Sequence, residues 1–152
     1  MNTSLVEQCR AQEEKYRFAS FTQTDAHELG ELIYQESLSC SAPVAIEIRL
    51  NGLTVYRCFP EGTNRNNEEW LRCKANTVDM LGISSFHLFA EIEAGGDPLE
   101  KRRMDPVDYA ACGGGFPLRI RGSAVVGTIC VSGLPHEQDH QLIIDSLEKY
   151  FH

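Results

Sequence analysis

Residues Val44 to Phe59 read VAIEIRLNGLTVYRCF, and this stretch decides the fold class. Val44, Ile46, Ile48 and Leu50 alternate with Ala45, Glu47 and Arg49, the two-residue period of a strand with one buried face. Asn51-Gly52 follows, the dipeptide favoured by a type I′ turn because both central residues need positive φ. Leu53 to Phe59 then returns as the partner strand. A hairpin pairs its strands antiparallel, so a sheet built on it is not doubly wound.

Working outward, the next decisive stretch is Cys112 to His140, CGGGFPLRIRGSAVVGTICVSGLPHEQDH. The three glycines before Phe116-Pro117 mark backbone that must bend sharply or let another group approach closely. Leu118 to Arg121, a turn at Gly122-Ser123 and Ala124 to Val131 read as a second hairpin, whose later strand is apolar enough to be buried on both faces. Ser132-Gly133-Leu134-Pro135 hands the chain to a final helix running to about Phe151, with Leu142, Ile143, Leu147 and Tyr150 or Phe151 turned inward.

The remaining segments read as helices. Ser4 to Phe18 carries a weak stripe of Leu5, Val6, Cys9 and Tyr16, which makes residues 1–20 an N-terminal helical extension. Asp25 with Glu28 resembles a capping box, and Ala26, Leu29, Leu32 and Ile33 keep helical period until about Ser39, ahead of Pro43. After Pro60-Glu61-Gly62-Thr63, Asn66 or Asn67 can cap a helix that opens with Glu68 and Glu69. Its stripe is Trp70, Cys73, Thr77, Val78 and Leu81 with Lys74 beside it, and Gly82 ends or bends it. FHLFAEI, Phe86 to Ile92, fits strand or helix, and Ser84 or Ser85 before it with Gly95-Gly96 after it favours helix. Asp97-Pro98 and Asp105-Pro106 place an N-cap before proline, so short helical turns are expected there. The order is helix, helix, hairpin, helices, hairpin, helix. Residues 1–152 therefore read as one α+β domain with a central antiparallel sheet and helices packed on it.

A chain of 152 residues suits a single core, and 42% apolar with 24% charged residues is ordinary globular composition, which excludes a fibrous or disordered class. The formal charge of -8 leaves Lys101-Arg102-Arg103 as the longest basic run, so nucleic acid is not an expected partner. Cys9, Cys40, Cys58, Cys73, Cys112 and Cys130 show no metal-ligand spacing and read as reduced thiols. MNTSLVEQCRAQEEKYRF lacks the apolar region of a signal peptide, and no apolar run reaches the ~18 residues needed to span a bilayer, so the cytosol is expected and membrane is not.

Three groups could carry chemistry. The amides near Gly113 to Gly115 and those opening the helix after Gly133 could hold a small anion in one cavity, or the glycines serve as turns alone. No dinucleotide or P-loop pattern accompanies them. His136 and His140 share a helical face, but with neither HExxH order nor a third ligand they read as a solvated first turn in which Glu137 and Asp139 serve the helix dipole; no metal is expected. Trp70 and Lys74, four apart, offer an indole and a cation for an anionic or aromatic ligand. The alternative is a core Trp beneath a Lys that snorkels to water. Cys112 is the best-placed thiol. His87 reads as structural or exposed, and His152 as disordered at the terminus. No nucleophile–base set can be assembled, so no catalytic residue is named.

WLRCKANTVDML together with CGGGFPLRIRGSAVVGTICVSGLPHEQDH resembles the haem-degrading-domain family (GlcG-like, HbpS-like and PduO C-terminal-like proteins), nearest its cytosolic branch. The likeness runs from about Asp25 to Phe151. It implies a profilin-like arrangement and homo-oligomers; haem binding or degradation is implied for some relatives, though no haem-ligand motif is present here to carry over. By analogy, the candidate ligand-binding positions are Trp70, Lys74, Gly114, Gly115, Phe116, Ser132, Gly133 and His140. The expectation is a non-catalytic oligomer that binds a small anionic or aromatic ligand, against a haem protein or a protein-interaction scaffold.

Overall fold

The computed structural model describes residues 4–152, so the first three residues of the N-terminal extension lie outside the described residues. Asn51 (φ 51°) and Gly52 (φ 83°) make the expected tight turn. It joins β1, Ala45–Leu50, to β2, Leu53–Cys58, in antiparallel register. The second hairpin comprises β3, Gly115–Arg119, and β4, Val125–Ser132. β4 docks antiparallel on β1, with Ile46 opposite Val131 and Ile48 opposite Ile129. Two hairpins thus form one sheet in the order β2-β1-β4-β3, with their two inner strands at its centre.

The helices are α1, Leu5–Lys15, α2, Gln23–Ser37, α3, Arg65–Leu81, α4, Ser85–Glu93, and α5, His136–Tyr150. One face of the sheet is apolar: Ile46, Ile48, Phe116, Leu118, Ile129 and Val131 pack against Leu29 and Ile33 of α2 and Ile143 and Leu147 of α5. On the other face Ala45 and Cys130 meet Leu71 and Ala75 of α3. That second face also holds Glu47, only 1% exposed. A carboxylate there must be paired. Arg49 donates to it at 2.7 Å and Arg57 at 2.8 Å, and Arg57 continues to Glu68 at 2.8 Å. α1 lies against α4, where Glu13 accepts from the Ser84 amide at 3.0 Å and faces His87 at 2.9 Å.

The α+β class stands, and most differences from the sequence reading are at element ends. The capping box of α2 is Thr22 with Asp25, one turn before Asp25 with Glu28, because the Asp25 carboxylate takes the Thr22 amide at 2.8 Å. For α3 the cap is Asn64, whose side chain serves the amides of Asn66 and Asn67 while Asn67 returns the bond. Gly82 (φ 69°) ends α3, and Ser84 caps α4, so FHLFAEI is helical. The two Asp-Pro sites do less than expected. Pro98 caps a 3-10 turn, Leu99–Arg102, without a side-chain bond, and Asp105 closes only a turn onto Val107. β3 begins at Gly115, earlier than Leu118, since Gly115 already pairs with Cys130 of β4. All six cysteines are free.

Ile129, fully buried at the sheet centre, and Leu38, largely exposed, supply a test. Ile129→Ala should lose about 2–5 kcal/mol in urea unfolding, whereas Leu38→Ala should stay within about 0.5 kcal/mol.

Candidate functional site

The C-terminal end of β4, the N-terminal half of α3, the first turn of α5 and the glycine loop meet at one corner. Asn67 ties two of these together, donating to Ser132 Oγ at 3.3 Å and the Ser132 carbonyl at 3.4 Å. One turn along α3, Leu71, Lys74, Ala75 and Val78 face inward, while Trp70 remains 44% exposed. Of the stripe read in the sequence, Cys73, Thr77 and Val78 are buried, while Leu81 is half-buried and Trp70 points outward. Trp70 is thus neither core nor shield for a snorkelling lysine; Lys74 is the buried residue and Trp70 stands at the rim.

Lys74 Nζ donates to the carbonyl of Val131 at 2.8 Å and to Asp139 Oδ2 at 3.1 Å. Asp139 Oδ1 in turn accepts from the Leu134 amide at 3.0 Å. Burial lifts the Asp139 carboxyl above the usual range, against the lowering pull of Lys74 and of the Leu134 and Gly133 amides. The first turn of α5 is therefore not the solvated one expected from its charges. Asp139 folds back to fill the anion position that the Gly133 corner creates.

The glycine loop is shaped around this pair. Gly114 has φ 121°, and a Cβ there would lie 2.5 Å from Lys74 Nζ and 2.6 Å from the Val131 carbonyl oxygen, so only glycine leaves the ammonium its place. The neighbouring amides have partners of their own: Gly113 donates to His136 Nδ1 at 3.0 Å and Gly115 to Ser85 Oγ at 2.9 Å. Because Nδ1 accepts, the proton of neutral His136 sits on Nε2, 3.1 Å from Glu137.

Between these groups is a hollow of about 180 Å³ lined by Trp70, Lys74, Cys112, Ser132, Leu134, His136 and Asp139. Larger grooves of about 400 and 340 Å³ follow the loop between α2 and β1, and their linings contain no buried ion pair. Of the sequence candidates, Trp70, Lys74 and Ser132 line the hollow, with Gly114 packed behind Lys74 and the Gly133 amide on Asp139. Gly115 and Phe116 belong to β3, and Phe116 lies in the core beside Tyr16. His140 is sealed off at 3% exposure, stacked on Phe86 with Nε2 2.8 Å from Gln12 Oε1, while its Nδ1 has no hydrogen-bond partner. Asp139 and His136 were underrated in the sequence; a carboxylate in the first turn after a Gly-Leu-Pro corner was the available signal. Burial raises the Cys112 thiol, with Lys74 pulling the other way. Among the described residues, no three His, Cys, Asp or Glu side chains converge as a metal site.

Residues 21–148 match the family model described as haem degrading protein HbpS-like. A UPF0303 protein of Streptomyces avermitilis is 36% identical over 146 residues, covering 95% of this chain and 90% of that protein. The crystal structure of the Ybr137w protein is similar at a TM-score of 0.86 and 28% identity, over 95% of this chain and 86% of the other. The PduOC:Heme complex has a TM-score of 0.71 at 20% identity, over 85% and 94% of the two chains, a likeness of fold.

Burial, with His136 nearby, lowers the His140 pKa from 6.5 to about 4. The unfolded chain therefore binds a proton that the folded chain refuses, and stability falls as pH drops from about 6.5 to about 4. This imidazole should account for a loss of about 3 kcal/mol across that window. Urea unfolding of His140→Phe against the parent, at both ends of the window, should show a correspondingly smaller acid loss.

Proposed function

Because the chain belongs to the HbpS-like haem degrading protein family, we propose that it is a non-catalytic, cytosolic homo-oligomer whose hollow binds a small anionic or aromatic ligand. The observation that carries this reading is the pairing of a half-exposed indole, the single tryptophan of the chain, with a buried ammonium in one cavity. An indole offers a flat contact face at low entropic cost, and a desolvated ammonium fixes an acceptor group against it. Catalysis is not part of the proposal: the Cys112 thiol is held protonated, and the His136 lone pair is engaged by Gly113.

The lining does not fit haem. Pockets for drug-sized ligands are about 300–1,000 Å³, larger than this one, and a haem is at least that size of ligand. His136 Nδ1 is taken by an amide and its Nε2–H faces Glu137 at 3.1 Å, and His140, bonded to Gln12, is closed to solvent, so neither imidazole presents iron with a free nitrogen in the hollow.

A thermal-shift screen of small carboxylic and aromatic acids should find a compound that stabilises the protein by about 2.7 kcal/mol at about 100 times its Kd and changes Trp70 fluorescence. Trp70→Ala, at an exposed position, should fold normally and lose most of that stabilisation. Equal stabilisation of the variant places the ligand elsewhere. A saturable Soret shift on titrating haemin, unaccompanied by any response to the acids, would favour the haem reading instead.

A further inference from the structure

We infer that the hollow takes a small carboxylate together with one proton, and that Asp139 receives the proton, so that affinity rises as pH falls. This rests on the ligand-binding reading above and adds the ligand class and its linkage to protons.

The hydrogen-bond inventory sets the class. An ammonium has three N–H donors, and Lys74 uses one on Val131 and one on Asp139. The third is available to an acceptor in the cavity that Lys74 lines. Ser132 adds a hydroxyl, whereas the His136 N–H is already turned to Glu137 at 3.1 Å. The one carboxylate in the lining is already committed, Oδ1 to the Leu134 amide and Oδ2 to Lys74. A lining with donors to spare and its carboxylate engaged is complementary to an acceptor-rich group, and a planar carboxylate under the indole of Trp70 meets both demands.

Such a ligand brings a second carboxylate to a single buried cation. Two carboxylates in that position do not both remain ionised, and burial already makes Asp139 easier to protonate. Once protonated, Asp139 keeps an oxygen for the Leu134 amide and turns its O–H into a donor for the ligand. The balance is simple: ligand carboxylate and one proton enter, Lys74 stays an ammonium, and no covalent bond to carbon forms or breaks. The other titratable groups around Asp139 are His136 on α5, Cys112 in the glycine loop and Cys40 after α2. Burial raises both thiols, which keeps them neutral, and His136 spends its lone pair on Gly113.

The test uses acetate and benzoate as probes on the whole protein, with Trp70 fluorescence as readout between about pH 6 and about pH 8, where both probes are ionised. Kd should weaken with rising pH, by up to about tenfold per unit where one full proton is taken up. Calorimetry in buffers of different ionisation enthalpy should show net proton uptake by the unmodified protein. In Asp139→Asn the dependence on pH should flatten. A Kd that is constant with pH and no proton uptake overturns the coupling alone, and an undiminished slope in a folded Asp139→Asn protein overturns the assignment to Asp139. No response to either probe removes the ligand-binding reading as well.

Discussion

An ammonium group cannot be left alone in an apolar interior, and the corner where Lys74 sits is built to answer that demand. The last residues of β4 supply a carbonyl, and α5 supplies a carboxylate. The carboxylate in turn depends on the amide of Leu134. Removing one member of such a buried pair strands the other, which typically costs several kcal/mol. The same bonds fix where α3 crosses the sheet, how α5 begins and why the loop before β3 must pass without side chains. The hollow is what remains between these constraints, and its position follows from them.

The two faces of the sheet are handled differently. Against α2 and α5 the contact is hydrocarbon throughout, which gives stability without directional preference. Against α3 only a small apolar patch exists, and beside it Glu47 is tied to Arg49 and Arg57. What ties α3 to this face is Lys74, because sliding the helix along the sheet would part its buried ammonium from Val131 and Asp139, with Arg57 to Glu68 as a more exposed second link. Rigidity and the proposed site thus share a face: the helix that Lys74 anchors is also the one that carries Trp70.

Much of this was legible in the sequence, for stated reasons. Alternation in VAIEIRL and the Asn-Gly turn are local signals that no tertiary contact overrode, so the hairpin and the antiparallel class could be read directly. Helix existence was also local, and most of the α3 stripe was too, but which of Trp70 and Lys74 turns inward was not. Trp70 read equally as core or as a binding face, and the choice is decided by Lys74 reaching Val131 and Asp139, which are 57 and 65 residues away in sequence. The first turn of α5 was misjudged for the same reason. Asp139 and His140 look like surface residues until the partners that bury them, from α3 and α1, are in place. His140 and Phe116, grouped with the site through family likeness, are packed in the interior, because likeness identifies a motif and not the direction in which each residue points.

The sheet has two ends, and each is finished. Just past β3, Phe18 covers the end of the border by accepting from the Arg121 amide at 2.7 Å and donating to the Arg119 carbonyl at 2.9 Å. At β2 the register jumps between Ile48 and Arg49, leaving Val55 as an extra residue that kinks the outer strand. A strand capped on one side and buckled on the other makes a poor template for lateral growth. Neither rim therefore offers a long flat row of open hydrogen-bonding groups onto which another copy could add as a further strand.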